Sequence, residues 1–207
     1  LGIFGGSFNP IHYGHLILAE CCREQLSLDR VWFLPAATPP HKQQLDLLPG
    51  EQRAEMIELA IAGHESFGVC RYELERGGVS YTVDTLARFH DEQPADELFF
   101  LMGADSLADL PTWKDPATLC RLAIAVVVQR GTRGAQDPSL DSEELRALSP
   151  FVAAERLQQI ADSRVEMPRI DLSASDLRRR VAAGQSIRYR TPRAVEKYIE
   201  THALYHA

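Results

Sequence analysis

The chain has 207 residues, with 22 Lys plus Arg against 29 Asp plus Glu and a formal net charge of −7. That length supports one domain with a sizeable core, and the acidic balance argues against a general nucleic-acid or anionic-membrane surface. No apolar stretch approaches the ~20 residues that span a bilayer. Cys21, Cys22, Cys70 and Cys120 form no C-x-x-C pair, so they read as buried thiols of a cytoplasmic protein.

Taken in order, the pattern starts with an apolar strand at Leu1–Phe4, without a charged leader; an N-terminal address is left open. A helix follows at Tyr13–Leu26, with Glu20, Arg23, Glu24 and Ser27 on its polar face, and then a strand at Val31–Pro35. Glu51–Gly63 carries a helical stripe at Arg53, Met56, Ile57 and Ala60, and Phe67–Tyr72 reads as the next strand. Thr82–His90 repeats the stripe at Val83, Leu86, Ala87 and His90, ahead of strands at Leu98–Met102 and Ala123–Val128. Gly131–Ser142 has the composition of a mobile loop. Glu143–Ala161 then supplies one or two helices, Val165–Met167 a final strand and Ser173–Ala207 a helical extension. Several strands are continuously apolar, as parallel strands covered on both faces are. The alternation predicts an α/β, Rossmann-like, doubly wound parallel sheet with a C-terminal helical extension, in a single domain over residues 1–207. In that architecture ligands bind beyond the carboxyl ends of the strands, which is where the segments after Phe4, Pro35 and Met102 fall.

The first of those segments is Gly5-Gly6-Ser7-Phe8-Asn9-Pro10-Ile11-His12-Tyr13-Gly14-His15. Its two histidines stand at the start of the first helix, where the dipole disfavours a protonated imidazole unless an anion is bound. Free backbone N–H groups at the same end suit a phosphate. Neither Gly-x-x-x-x-Gly-Lys-Ser/Thr nor Gly-x-Gly-x-x-Gly occurs, which excludes a P-loop and the dehydrogenase fingerprint. Instead His12-x-Gly-His15 resembles the signature of the nucleotidyltransferase superfamily of adenylyl- and cytidylyltransferases. Class I aminoacyl-tRNA synthetases share a similar motif but add a lysine-rich loop and tRNA-binding domains that this short acidic chain lacks. Leu172-Ser173-Ala174-Ser175-Asp176-Leu177-Arg178 is similar to the second superfamily signature, Ile-Ser-x-x-x-x-Arg. Read alone, that segment is equally a helix capped by Ser175 with a solvated arginine face.

Pro39-Pro40-His41-Lys42, Ser80–Leu86, Gly103–Ser106 and Pro111–Trp113 follow in order, so the chain resembles the bacterial nicotinate-nucleotide adenylyltransferases over nearly its entire length. It departs from them at Asn9, where many relatives have Asp, and at Ala174, which replaces a hydroxyl. The resemblance implies transfer of AMP from ATP to nicotinate mononucleotide, with deamido-NAD and pyrophosphate as products and Mg²⁺ accompanying ATP rather than held in a protein cage. It implies that His12, His15 and Arg178 are catalytic, and that Gly5, Gly6, Ser7, Phe8 and Ser175 complete the ATP site. For the acceptor it implies His41 and Lys42 at the phosphate, Trp113 beneath the ring, Tyr81, Thr82 and Thr85 at the carboxylate and Asp105 at a ribose hydroxyl. Each of these acceptor residues has a plainer reading: a solvated loop for His41 and Lys42, core for Trp113, helix capping for the rest. Nicotinamide-nucleotide and phosphopantetheine enzymes, or a noncatalytic nucleotide sensor, are the competing functions.

Overall fold

The computed structural model describes residues 1–38, 47–130 and 143–206. The chain runs through β1 (Gly2–Gly6), α1 (Tyr13–Gln25), β2 (Val31–Pro35), α2 (Gly50–Ile61), β3 (Phe67–Val69), α3 (Tyr72–Arg76), α4 (Thr82–Glu92) and β4 (Phe99–Gly103). It continues with α5 (Ala104–Asp109), a 3-10 turn (Leu110–Thr112), α6 (Pro116–Leu122), β5 (Ile124–Arg130), α7 (Glu143–Leu148), α8 (Ala154–Asp162), β6 (Val165–Met167), α9 (Ala174–Ala182) and α10 (Arg193–Thr201). Among the described residues the strands form one parallel sheet in the order β3-β2-β1-β4-β5-β6. This is the doubly wound arrangement expected from the alternation of elements, with its topological switch between β1 and β4.

Side chains of successive strand residues enter opposite cores, because strand side chains alternate with a period of two. Phe4, Phe33, Leu101, Val126 and Val128 join α1, α2, α9 and α10 on one face. Ile3, Leu34, Phe100, Met102, Ala125 and Val127 join α4, α6 and α8 on the other. Both faces are therefore covered, which explains why these strands read as unbroken apolar runs.

Two local features place the site. The β1–β4 ladder has only the pairs Gly2↔Phe99 and Ile3↔Phe100, so the two strands part before β1 ends and leave a crevice at the switch point. β1 and β2, by contrast, stay in register as far as Gly6↔Pro35. The expected strand at Phe67–Tyr72 is shorter, ending at Val69. Arg71 turns to φ −89°, ψ 6° and α3 begins at Tyr72. Tyr-Glu-Leu-Glu-Arg is compatible with a helix, but five residues show no readable period. The segment Gly131–Ser142 lies outside the described residues.

Candidate active site

The turn after β1 is built around buried aromatic rings. Phe8 takes a left-handed φ of 44°, an uncommon conformation for a non-glycine residue, and is 1% exposed. Its ring meets Phe4 edge-on at 5.3 Å and lies 5.8 Å from Phe33. That packing offsets a backbone strain on the order of 1–3 kcal/mol. Gly6 is required here, since a Cβ would stand 2.9 Å from the Phe8 ring.

His12 is the N-cap of α1, and His15 is its third helical residue. The His12 backbone N–H donates to His15 Nδ1 at 3.3 Å. With Nδ1 accepting, a neutral His15 carries its proton on Nε2. The two imidazoles stack 3.7 Å apart at 19°, and Phe8 closes edge-on upon His15 at 5.1 Å. Gly14 is part of this arrangement, because a Cβ there would come within 3.0 Å of the His12 ring. The first turn of α1 carries no acidic side chain, so its positive dipole end favours an anion, although Tyr13 N–H already donates to Arg190 O and His15 N–H to His12 O.

Three alternate carbonyls of the turn are held from outside it. Arg53 donates from Nη1 to Ser7 O at 2.8 Å, Arg178 from Nη1 to Asn9 O at 2.7 Å, and Thr191 from Oγ1 to Ile11 O at 2.8 Å. Asn9 is 1% exposed, and its Oδ1 accepts from the Tyr205 hydroxyl at 2.8 Å. Burial pushes the Tyr205 hydroxyl well above its ordinary pKa, so it remains a donor. Arg53 also donates to Leu48 O at 2.9 Å and to Ala36 O at 2.7 Å, tying the turns after β1 and β2 to the approach to α2. It is 1% exposed and, among the described residues, has no carboxylate partner. Burial lowers its pKa, and the three carbonyls are what stabilise the charge.

The crevice between β1 and β4 encloses about 250 Å³ and is lined by Gly5, Gly6, Ser7, Tyr81, Thr82 and Trp113, with Phe100 and Glu73 deeper in. Trp113 packs edge-on to Phe100 at 6.0 Å, and its buried Nε1 has no hydrogen-bond partner among the described residues. No side chain caps the first turn of α4. Ser80 is buried, and its Oγ accepts from Ala37 N–H at 2.9 Å, fastening the stretch after β2 to the entrance of α4.

Several expectations change in detail. Thr85, expected at the crevice with Tyr81 and Thr82, is 1% exposed and donates its hydroxyl to Glu73 Oε1 at 2.7 Å. Thr85 does not line the crevice itself, although its partner Glu73 does. The α9 cap is Ser173, whose Oγ accepts from Asp176 N–H at 3.1 Å; Ser175 lies exposed in the first turn of α9. Asp176, paired with Arg179 and with Arg190 at 3.5 Å, already complements that helix end. Asp105 is the second residue of α5, at the carboxyl end of β4, and the cap there is Gly103. His41 and Lys42 lie outside the described residues. The sequence pattern alone does not mark Arg53 and Glu73 as functional. A charged residue in the apolar stripe Arg53–Met56–Ile57 was the available signal for the first of these.

Comparison with known proteins gives the family and the fold. The sequence model of the family described as cytidylyltransferase-like matches residues 3–180. The chain is 45% identical over 205 residues to a protein of Thermomicrobium roseum named "Probable nicotinate-nucleotide adenylyltransferase", covering 99% of this chain and 91% of that one. A protein of the same name from Thermus thermophilus is also 45% identical over 205 residues, covering 99% and 98%. Among solved structures, the fold is similar to Plasmodium falciparum nicotinic acid mononucleotide adenylyltransferase complexed with NaAD. That match has a TM-score of 0.73 at 18% identity and covers 99% of this chain and 96% of that one.

Proposed function

The chain belongs to the cytidylyltransferase-like family and, within it, to the nicotinate-nucleotide adenylyltransferases, and from that premise we propose that it transfers AMP from ATP to nicotinate mononucleotide, releasing pyrophosphate and forming deamido-NAD. The observation that carries the reading is the Arg178–Asn9 hydrogen bond. It brings the arginine of the C-terminal motif to the turn that presents His12 and His15, 169 residues away. One polyphosphate can then be gripped from both sides, next to a crevice of the size and lining suited to a planar ring.

The acceptor's phosphate oxygen attacks the α-phosphorus of ATP and pyrophosphate leaves. The attacking group is already ionised at neutral pH, so positioning and charge stabilisation are the enzyme's tasks. His15 donates from Nε2 to phosphate oxygens, His12 flanks it, and the positive end of the α1 dipole favours the anion. Gly5, Gly6, Ser7 and Phe8 shape the wall along the phosphates, while Ser175 and the rest of the Arg178 fork hold the far end. Trp113 stacks on the pyridine ring, and Tyr81 and Thr82 meet its substituent at the start of α4. His41 and Lys42 receive the acceptor phosphate, and Asp105 a ribose hydroxyl. Thr85 acts through Glu73 rather than on the ligand.

Among the described residues no group of three or more His, Cys, Asp or Glu is arranged to hold a metal ion. Mg²⁺ would enter with ATP, held by its phosphate oxygens and water, and would supply charge neutralisation. The proposed compartment is the cytoplasm. The four cysteines are free, and among the described residues no helix is long and apolar enough to cross a membrane. We take residues 1–207 as one catalytic domain, supported by the bonds that join Thr191 and Tyr205 to the first turn.

The test is pyrophosphate release from Mg-ATP with nicotinate mononucleotide, nicotinamide mononucleotide or phosphopantetheine as acceptor. Highest kcat/KM with the first is expected. Release with neither pyridine nucleotide overturns the assignment.

A further inference from the structure

The crevice wall carries a charge that the reaction outlined above does not use. Among the described residues lining it, the charged ones are Glu73, which accepts from Thr85, and Lys114, at the mouth. Lys114 Nζ lies 2.8 and 2.9 Å from the two carboxylate oxygens of Asp84 and 4.6 Å from the centre of the Tyr81 ring. Asp84 has a second cation, Arg76, at 3.5 Å, so the cluster holds two positive groups and one negative.

This arrangement lets the ammonium change partners. Its side chain is 47% exposed and that of Asp84 33%, and ion pairs so open to water are weak. When Lys114 turns away, Asp84 keeps Arg76 and no carboxylate is left unpaired. The Tyr81 ring face gives the ammonium a second favourable surface, which keeps it at the mouth. An incoming carboxylate, meanwhile, enters a crevice that already contains Glu73, and like charges at close range repel unless a cation stands near. Lys114 is the cation on that wall.

We propose that Lys114 is a specificity-determining residue for the acceptor. Its ammonium exchanges Asp84 for the ring carboxylate of the nicotinate nucleotide, and the uncharged amide of the nicotinamide nucleotide gains nothing equivalent. The proposal rests on the acceptor reading given above. The competing role for Lys114 is a latch that merely fastens the Trp113 segment to α4, and the two roles differ in sign at Asp84.

The experiment measures kcat/KM for nicotinate and nicotinamide mononucleotides at fixed Mg-ATP in wild type, Lys114→Met, Lys114→Arg and Asp84→Asn. Lys114→Met is expected to lower the acid-to-amide ratio about fivefold, the range of a half-exposed ion pair. Lys114→Arg keeps the ratio near wild type, and Asp84→Asn keeps or raises it, since the cation loses its competitor. Added salt lowers the ratio in wild type and not in Lys114→Met. If wild type prefers the acid while Lys114→Met leaves the ratio unchanged, or Asp84→Asn lowers it equally, Lys114 is a latch and the proposal is overturned. A wild type that uses neither nucleotide, or prefers the amide, overturns the acceptor reading instead.

Discussion

The two halves of the candidate site are held by different means. On the phosphate side, three carbonyls of one short turn each accept from a side chain of a different, distant segment, and Arg53 and Asn9 are both 1% exposed. On the acceptor side, the walls meet through the Lys114–Asp84–Arg76 cluster on the surface, and the best-buried contact is the Thr85–Glu73 hydrogen bond. Buried, charge-assisted bonds fix geometry, whereas exposed pairs contribute little and exchange easily. Charge developing on a leaving pyrophosphate needs donors that are already in place, because reorganisation at the moment of reaction would cost rate. Discriminating one ring substituent from another needs only a difference in affinity, and an adaptable pair can supply it.

The contrast breaks most sharply at His15. His15→Ala is expected to lower kcat about 10²- to 10³-fold at saturating substrates, with the melting transition preserved. A folded variant with near-wild-type turnover would end the claim that this ring faces the reacting phosphates. Arg53 comes next, through the fold. Charged donors contribute about 1.5–3 kcal/mol per hydrogen bond, so Arg53→Met should destabilise the protein by about 3 kcal/mol or more in denaturant melts. Arg53→Lys should recover part of the stability and less of the kcat, because an ammonium cannot span three carbonyls with a planar fork.

At Arg178 the expected effect is smaller and one-sided. Arg178→Ala should raise KM for ATP by about tenfold or more while moving KM for the acceptor much less, and Arg178→Lys should restore only part. Equal movement of both constants would mean that the arginine supports the turn without meeting ATP. Thr85→Val sharpens the other side. Leaving Glu73 without its hydroxyl partner should cost about 1–3 kcal/mol of stability. The acceptor KM should rise severalfold with ATP KM unchanged, as steady-state titration of each substrate would register.

Much of this framework is legible in the linear sequence, for identifiable reasons. Strands covered on both faces show as apolar runs, and the β1–turn–α1 passage shows because glycines and two histidines must share a few residues. The direction of Thr85 was not legible. Thr82 and Thr85 are one helical turn apart, and no pattern reports that the short α3 brings Glu73 under α4 to take the Thr85 hydroxyl. Arg53 was visible as a charge within an apolar stripe, but its acceptors are backbone carbonyls, which no side-chain pattern reports. Lys114 gave no signal either, since its meaning depends on Asp84, thirty positions earlier, lying within reach.

The carbonyl staples also set an order of assembly. Asn9 and Ile11 receive their donors from Arg178, Thr191 and Tyr205, across sequence separations of 169, 180 and 196 residues. During synthesis, the histidine turn emerges well before the residues that tie its carbonyls. Contacts this distant carry a large loop-closure entropy and tend to form late. A nascent chain stopped before Arg178 would hold both histidines and most of the sheet, yet lack all three of these donors. The proposed phosphate site would therefore be complete only once the chain through Tyr205 has been made.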